Sequence, residues 1–312
     1  MRGFCCVSLP AGSPAPLVQT MTHLQAVALM IFCTMLWSIG GVVSRHFEST
    51  EGLETTFWRS LFAALTVAVW MLIEGRGRAF RALAAAGPTV WISGAMWAVM
   101  FTCFTIALSL TLVANVLITQ SLAPIFTALL AGAVLRVPVG ARTWAAIIVA
   151  AAGICAMYVF DVSGLDGRHA LGVLVALGIP LAAAVNWVLV QRAGRGPDLS
   201  MAVLIGGSLS ALCMLPLAWP LGVSLHDLGL LALLGVVQLG IPCVLAMRAA
   251  RHLSATEASL LILLEIVFGI LLTWAFGGER PGAATLIGGC AVLGALVFHE
   301  LAKPTPGTRS AA

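Results

Sequence analysis

Charged side chains are scarce in this sequence: 16 Lys and Arg and 12 Asp and Glu among 312 residues, or 9%, where a soluble domain carries ~25%. That shortage excludes a water-solvated surface over the whole chain. The 61% of hydrophobic residues indicates lipid in its place. Lysine is nearly missing, with Lys303 the single instance against fifteen arginines. With abundant Ala and Gly, this balance suits a GC-rich, bacterial genome. The net charge of +4 is spread between apolar runs and forms no cluster able to track phosphates, which argues against a nucleic-acid partner. No Cys-x-x-Cys pair occurs, and Cys33, Cys103, Cys155, Cys213, Cys243 and Cys290 all lie inside apolar runs. They read as small hydrophobes, not as a disulfide framework or metal ligands. His299-Glu300 is followed by Lys303 where a His-Glu-x-x-His motif needs its second histidine. Neither Gly-x-Ser-x-Gly nor a phosphate-cradling Gly-x-x-x-x-Gly-Lys-Ser/Thr loop is present. These absences leave no support for a hydrolase or an ATP-driven pump, and no metal or cofactor is expected.

Length alone suggests about two domains, but apolar stretches able to cross a ~30 Å hydrocarbon core recur throughout. They fall near residues 25 to 45, 55 to 73, 89 to 110, 112 to 135, 143 to 160, 171 to 191, 200 to 222, 227 to 247, 258 to 276 and 282 to 300. The pattern predicts an all-α integral membrane protein with ten transmembrane helices. The third and fourth are divided by almost no polar residues, around Ser109 to Thr111. Residues 1–24 are expected to be a disordered cytoplasmic tail and 301–312 a second one; Met21 is an alternative start. With the N-terminus in the cytoplasm, twelve cations fall on the inner side, including Arg76, Arg78 and Arg81, against Arg45, Arg168 and Arg280 outside. By the positive-inside rule both termini are cytoplasmic, in a multi-pass protein of a bacterial inner membrane.

Comparing "LAPIFTALLAGAVL" (122 to 135) with "LEIVFGILLTWAFG" (264 to 277) at a constant offset of 142 aligns Leu122/Leu264, Phe126/Phe268, Leu129/Leu271, Leu130/Leu272 and Ala133/Ala275. These are the fourth and ninth spans, so the chain reads as five helices repeated. An odd number of crossings per half inverts the second half, an arrangement suited to secondary transporters.

The stretches "MLWSIGGVVSR" (35 to 45), "FWRSLFAAL" (57 to 65), "TLVANVLITQSLAPIFTALLAG" (111 to 132) and "LSATEASLLILLEIVFGILLTWAFGGERP" (253 to 281) resemble, in order and spacing, the drug/metabolite transporter superfamily, in its ten-helix branch with two EamA domains. The resemblance spans about residues 25 to 300 and implies EamA-like repeats at 25–160 and 170–300. It implies proton- or exchange-coupled movement of small metabolites such as amino acids, often outward. Two departures stand out. Glu265-Ile266 replaces the family's frequent Glu-Pro, so a proline kink is expected to be absent there. Arg136-Val137 replaces the Gly-Glu that ends the family's fourth helix, whereas Gly278-Glu279 is kept in the second half.

Glu265 lies about seven residues into its helix, roughly 10 Å deep at 1.5 Å per residue. Twelve Val, Ile, Leu and Phe residues between 258 and 276 contribute roughly −4 to −7 kcal/mol to insertion, and a central acid costs on the order of +3. The segment inserts, but at a penalty that a packing role alone explains less well than a place in the transport pathway. There low dielectric favours the protonated acid, fitting a proton carrier or the counter-charge of a substrate amine. Arg59, some four residues inside its span, reads as snorkelling to the headgroups or as a member of a structural ion pair; binding of a substrate carboxylate is the alternative. Asn115, Thr119 and Gln120 on the fourth helix, Asn186 on the sixth and Gln238 on the eighth require interhelical bonds or a ligand. Trp37 and Trp187 open the two halves and serve as packing, stacking or gate residues. Pro180, Pro216 and Pro242 are expected to interrupt their spans. Spaced small residues such as Ala291 and Ala295 leave a homodimer open.

The expected function is a secondary active transporter, an exporter of small metabolites by alternating access. The rivals are a channel-like or lipid-translocating protein and an importer of a vitamin or nucleobase-type metabolite.

Overall fold

The computed structural model describes residues 21–43, 46–48, 52–73, 87–111, 113–136, 138–158, 167–194, 199–277 and 283–301. They form helices, with no strand among the described residues. In chain order these are α1 (His23–Ser38), α2 (Gly40–Val43), α3 (Gly52–Ile73), α4 (Pro88–Leu110), α5 (Val113–Gln120), α6 (Ala123–Leu135), α7 (Ala141–Tyr158), α8 (Gly167–Ala176), α9 (Gly178–Ala193), α10 (Ser200–Ala218) and α11 (Leu225–Leu233). A π-helical segment (Leu234–Gly240) then leads into α12 (Ile241–Ala250), α13 (Ala255–Ile262), α14 (Leu264–Gly277) and α15 (Ala283–Leu301).

The starts are written in the sequence. Thr22 with Gln25 and Ser254 with Glu257 form capping boxes that open α1 and α13, and Ser224 caps α11 by accepting from the Asp227 amide. Each satisfies backbone N–H groups that a helix end leaves unpaired.

Six uninterrupted or bent helical runs are long and apolar enough to cross a bilayer: Gly52–Ile73, Pro88–Leu110, Ala170–Ala193, Ser200–Ala218, Leu225–Ala250 and Ala255–Phe276. Shorter apolar helices cover His23–Ser38, Ala123–Leu135, Ala141–Ala156 and Leu286–His299. Ile73, Leu174, Leu212, Phe276 and Ile287 are exposed on the outside of the bundle, an apolar exterior that only lipid solvates well. The near-seamless joint of the third and fourth spans resolves at Thr111, whose extended backbone separates α4 from α5.

Several runs are interrupted, and for three the cause is legible. A proline lacks the N–H that closes on the carbonyl four residues back, and its ring crowds that carbonyl. Pro124, Pro180 and Pro242 therefore release the carbonyls of Gln120, Ala176 and Gln238. Accordingly α5 ends at Gln120, α8 ends at Ala176, and Gln238 falls in the π segment. Pro216 behaves differently from the sequence expectation, because it lies inside α10 without breaking it, two residues before the helix ends at Ala218. The expected continuity at Glu265-Ile266 is also corrected. Helix α13 stops at Ile262 although no proline follows, and the turn tightens instead, with the Leu263 amide donating to Leu260 at 3.0 Å and the Ile266 amide to Leu263 at 3.1 Å. This 3₁₀-like step and the break at Ser121–Leu122 stand at positions related by the same offset of 142.

Packing runs mainly between the two halves of the chain. Helix α3 packs on α10, α7 on α15, and α6 on α13. The pair α4 with α9 has its half-exchanged counterpart in α1 with α12, and α6 with α9 in α1 with α14. Close approach depends on glycine. A methyl on Gly207 would lie 3.0 Å from the Ser60 carbonyl oxygen, and one on Gly235 would lie 2.8 Å from that of Arg59, so α3 lies against bare backbone.

Polar ties join the halves at both ends. At one, Glu54 accepts from the Gly222 and Val223 amides at 3.0 and 3.1 Å, and Asp227 accepts from the Glu48 amide at 3.0 Å. At the other, His23 meets Glu257 at 3.1 Å across the halves, and within the second half Gln191 accepts from the Ala255 amide at 2.9 Å and Arg251 donates to the Gly194 carbonyl at 3.0 Å.

Candidate functional site

The helix interruptions surround a cavity of about 120 Å³. At roughly 10–15 Å³ per water, that admits a cluster of waters or a small organic ligand. Its polar wall comes from the broken runs: Gln120 at the end of α5, Gln238 in the π segment, and Glu265 one residue into α14. Aromatic side chains line much of the remainder, with Trp37 from α1, Trp97, Phe101 and Phe104 from α4, and Trp187 from α9, among smaller and aliphatic residues such as Ile179, Leu239 and Ser259.

Arg59 of α3 completes the wall, and here the expected snorkelling is corrected. Helix α3 starts at Gly52, three residues earlier than the hydropathy suggests, so Arg59 is seven residues in, or about 10 Å at 1.5 Å per residue. The side chain is buried in the protein instead of reaching outward. Only 9% of the side chain is exposed. The guanidinium carbon lies 5.8 Å from the centre of the Phe104 ring, and the group interacts electrostatically with Glu265. The acid also has the Gln120 amide as its hydrogen-bonding neighbour. Gln238 donates its amide N–H to the Trp37 carbonyl at 2.9 Å.

Six of the residues expected from the sequence thus share one cavity: Glu265, Arg59, Gln120, Gln238, Trp37 and Trp187. Asn186 is placed elsewhere. It is fully buried, accepts from the Ser93 hydroxyl at 2.6 Å and donates to the Met247 sulfur at 3.9 Å, so it joins α4, α9 and α12. Thr119 is buried beside the cavity without lining it. Asn115 belongs to α5, but its side chain lies outside the described residues, as do Gly278, Glu279 and Arg280. Replacing Asn186 with Ala is expected to cost about 1–2 kcal/mol of stability through loss of these bonds, read as a lower unfolding midpoint in detergent, with ligand binding at the cavity unchanged.

Trp97, Phe101 and Phe104 carry no polarity that marks them in the sequence. Their spacing of four and three along α4 places them on one helix face, which is the signal that finds them. Trp97 meets Trp187 edge to face, with ring centres 6.1 Å apart, joining the two halves of the chain across the cavity.

The family model of the EamA-like transporter family matches residues 24–159 and again residues 170–299. The chain belongs to that family. Its helical bundle is an EamA-like transporter, a multi-pass membrane protein, and the match points to a transporter rather than an enzyme. This EamA-like transporter is 25% identical over 285 residues to the "Pseudopaline exporter CntI" of two strains of Pseudomonas aeruginosa, an alignment covering 89% of this chain and 97% of the relative. A solved crystal structure superposes with a TM-score of 0.76 at 18% identity, covering 90% of this chain and 99% of the other. At that identity the likeness shows the fold alone.

Proposed function

We propose that this EamA-like transporter is a secondary active exporter of small metabolites such as amino acids, working by alternating access with proton coupling or exchange. The observation that carries the reading is the cavity itself, a space at the breaks of the helices lined by one carboxylate, Glu265, and one guanidinium, Arg59. Intramembrane ionisable groups are costly and characteristically face transport pathways, and discontinuous helices surround the binding sites of secondary transporters. Export, the activity named for the Pseudomonas relatives, favours the outward direction.

The chain crosses the membrane ten times as two inverted five-helix repeats, 25–160 and 170–300, both termini in the cytoplasm of a bacterial inner membrane. Three features support this. The six long and four shorter apolar helices together number ten, the interruptions of the fourth and ninth spans coincide at the offset of 142, and the packing pairs persist when the halves are exchanged. Inverted halves can trade conformations and open one midplane site to either side, and the ties at the two ends are the contacts such an exchange breaks in turn.

Counterflow in proteoliposomes tests the reading. Unlabelled amino acid inside is expected to drive transient accumulation of labelled amino acid, saturably and only with protein present. Flux that is linear in concentration and without counterflow would identify a channel instead, and the same assay with labelled lipid, vitamin or nucleobase separates the remaining alternatives.

A further inference from the structure

Resting on that reading, we infer that the cavity recognises its substrate by a carboxylate, received by the guanidinium of Arg59 and the indole N–H groups of Trp97 and Trp187, rather than by an amine received by Glu265.

Three donors in the cavity wall lack a bond. Arg59 Nε, Trp97 Nε1 and Trp187 Nε1 are buried and have no hydrogen-bond partner among the described residues. Their side chains all line the cavity and are 9%, 4% and 2% exposed. An indole N–H donates only, and so does a guanidinium, so no cationic group can satisfy any of the three. What they lack is an acceptor, and a buried donor without one is costly. A carboxylate supplies two oxygens with about four acceptor sites, and its bonds to a charged donor are the stronger kind.

Glu265 is a poor receiver for an amine by the same accounting. Its carboxylate already has the Gln120 amide beside it and Arg59 as counter-charge. The acceptors left open are the side-chain oxygens of Gln120 and Gln238, which are neutral and suit an amine, amide or hydroxyl as a second, weaker contact. The apolar wall of Trp97, Phe101, Phe104 and Trp187 suits a hydrocarbon or aromatic body. The ligand class is therefore an organic acid with an apolar body, for which an α-amino group is an addition and not the anchor.

The test is isothermal titration of the purified protein with phenylacetate, phenylacetamide, 2-phenylethylamine, phenylalanine and inorganic phosphate. Phenylacetate and phenylalanine are expected to bind, with phenylacetamide and phenylethylamine at least about tenfold weaker, because a charged hydrogen-bonded acceptor is worth on the order of a decade in affinity, and phosphate weaker still, because it brings no hydrocarbon to the apolar wall. Trp97→Phe and Trp187→Phe keep the ring and remove only the N–H. Each is expected to weaken phenylacetate about tenfold and to leave phenylacetamide nearly unchanged, a selectivity that a merely structural role does not move. Arg59→Lys, which retains the buried charge, tests the third donor by the same ratio. The inference is overturned if the amine or amide binds as tightly as the acid, if phosphate matches phenylacetate, if none of the acids binds, or if both Trp variants keep the acid-to-amide ratio. Counterflow of amino acids is measured separately, so the transport reading can survive while the carboxylate assignment falls.

Discussion

Replacing Glu265 with Gln is expected to take proton-driven transport by the reconstituted protein to the background of empty liposomes, and to remove the pH dependence of what exchange remains. The substitution keeps the size and the hydrogen bonding of the side chain beside Gln120 but deletes the group that can gain and lose a proton. It also removes the counter-charge of Arg59. A substrate carboxylate and Glu265 would share that one cation, so binding the substrate leaves the wild-type cavity with a net negative charge unless Glu265 takes up a proton. Proton uptake on binding, and release of one when the other departs, is a coupling that must be reciprocal. Its sign follows: wild-type affinity for an acid falls as pH rises, and in Glu265→Gln it is flat and high. Substrate-gradient exchange in Glu265→Gln, which moves no proton, is expected to persist. The idea fails if Glu265→Gln accumulates substrate against a gradient at the wild-type rate with the wild-type pH profile.

A loss of folding would mimic a loss of coupling, and the charge arithmetic separates them. Leaving one member of a buried charge pair alone costs on the order of 3 kcal/mol, whereas replacing both can be nearly neutral. If Glu265→Gln is unstable, the double variant Arg59→Met with Glu265→Gln is expected to recover stability without recovering transport. Thermal unfolding in detergent reads the first and liposome transport the second.

Residue types that are costly in lipid were the ones visible in advance. Glu265, Arg59, Gln120 and Gln238 each stand out in an apolar run because burying them needs an explanation, and all four face the cavity. Asn186 stands out by the same rule but is satisfied by Ser93 and Met247, since polarity in a span signals a partner without saying which. The aromatic wall was hidden for the opposite reason. Helix α4 is apolar on every side, so hydrophobicity does not tell its cavity face from its lipid face. The depth of Arg59 was hidden because hydropathy starts its span at residue 55, whereas the helix begins at Gly52 with Glu54 in its first turn, tied to the Gly222 and Val223 amides. A charge held by such a tie reads as loop in any sum over residues. The breaks were partly legible: a proline four residues after Gln120, Ala176 and Gln238 predicts three of them, and nothing in the residues around Leu263 predicts the fourth.

The second large effect is expected far from any charge, at Gly206. A Cβ built there meets the Trp97 Cβ, the Gly94 carbonyl oxygen at 2.9 Å and the Ala98 amide nitrogen at 3.1 Å. Two of these three are backbone atoms and the third is fixed to backbone, so no rotamer change relieves the contact and α10 must move away from α4. Overpacking of that kind costs about 1–3 kcal/mol for a modest increase in volume and more when backbone has to shift. Gly206→Ala is therefore expected to lower the unfolding midpoint by several degrees and Gly206→Leu by on the order of 10 °C. Gly132, with nothing within 4 Å of its added Cβ, is the control, and Gly132→Ala is expected to be neutral or stabilising by up to about 1 kcal/mol from helix propensity. The consequence for function comes through Trp97. Helix α4 carries it, with Phe101 and Phe104 further along the chain, into the cavity wall, so moving α4 off α10 opens the edge-to-face contact of Trp97 with Trp187. Even where Gly206→Ala folds well enough to purify, its affinity for phenylacetate is expected to fall by more than its stability loss alone explains, with the acid-to-amide ratio falling too. An unchanged midpoint in Gly206→Leu would show that the two helices do not meet backbone to backbone at this point.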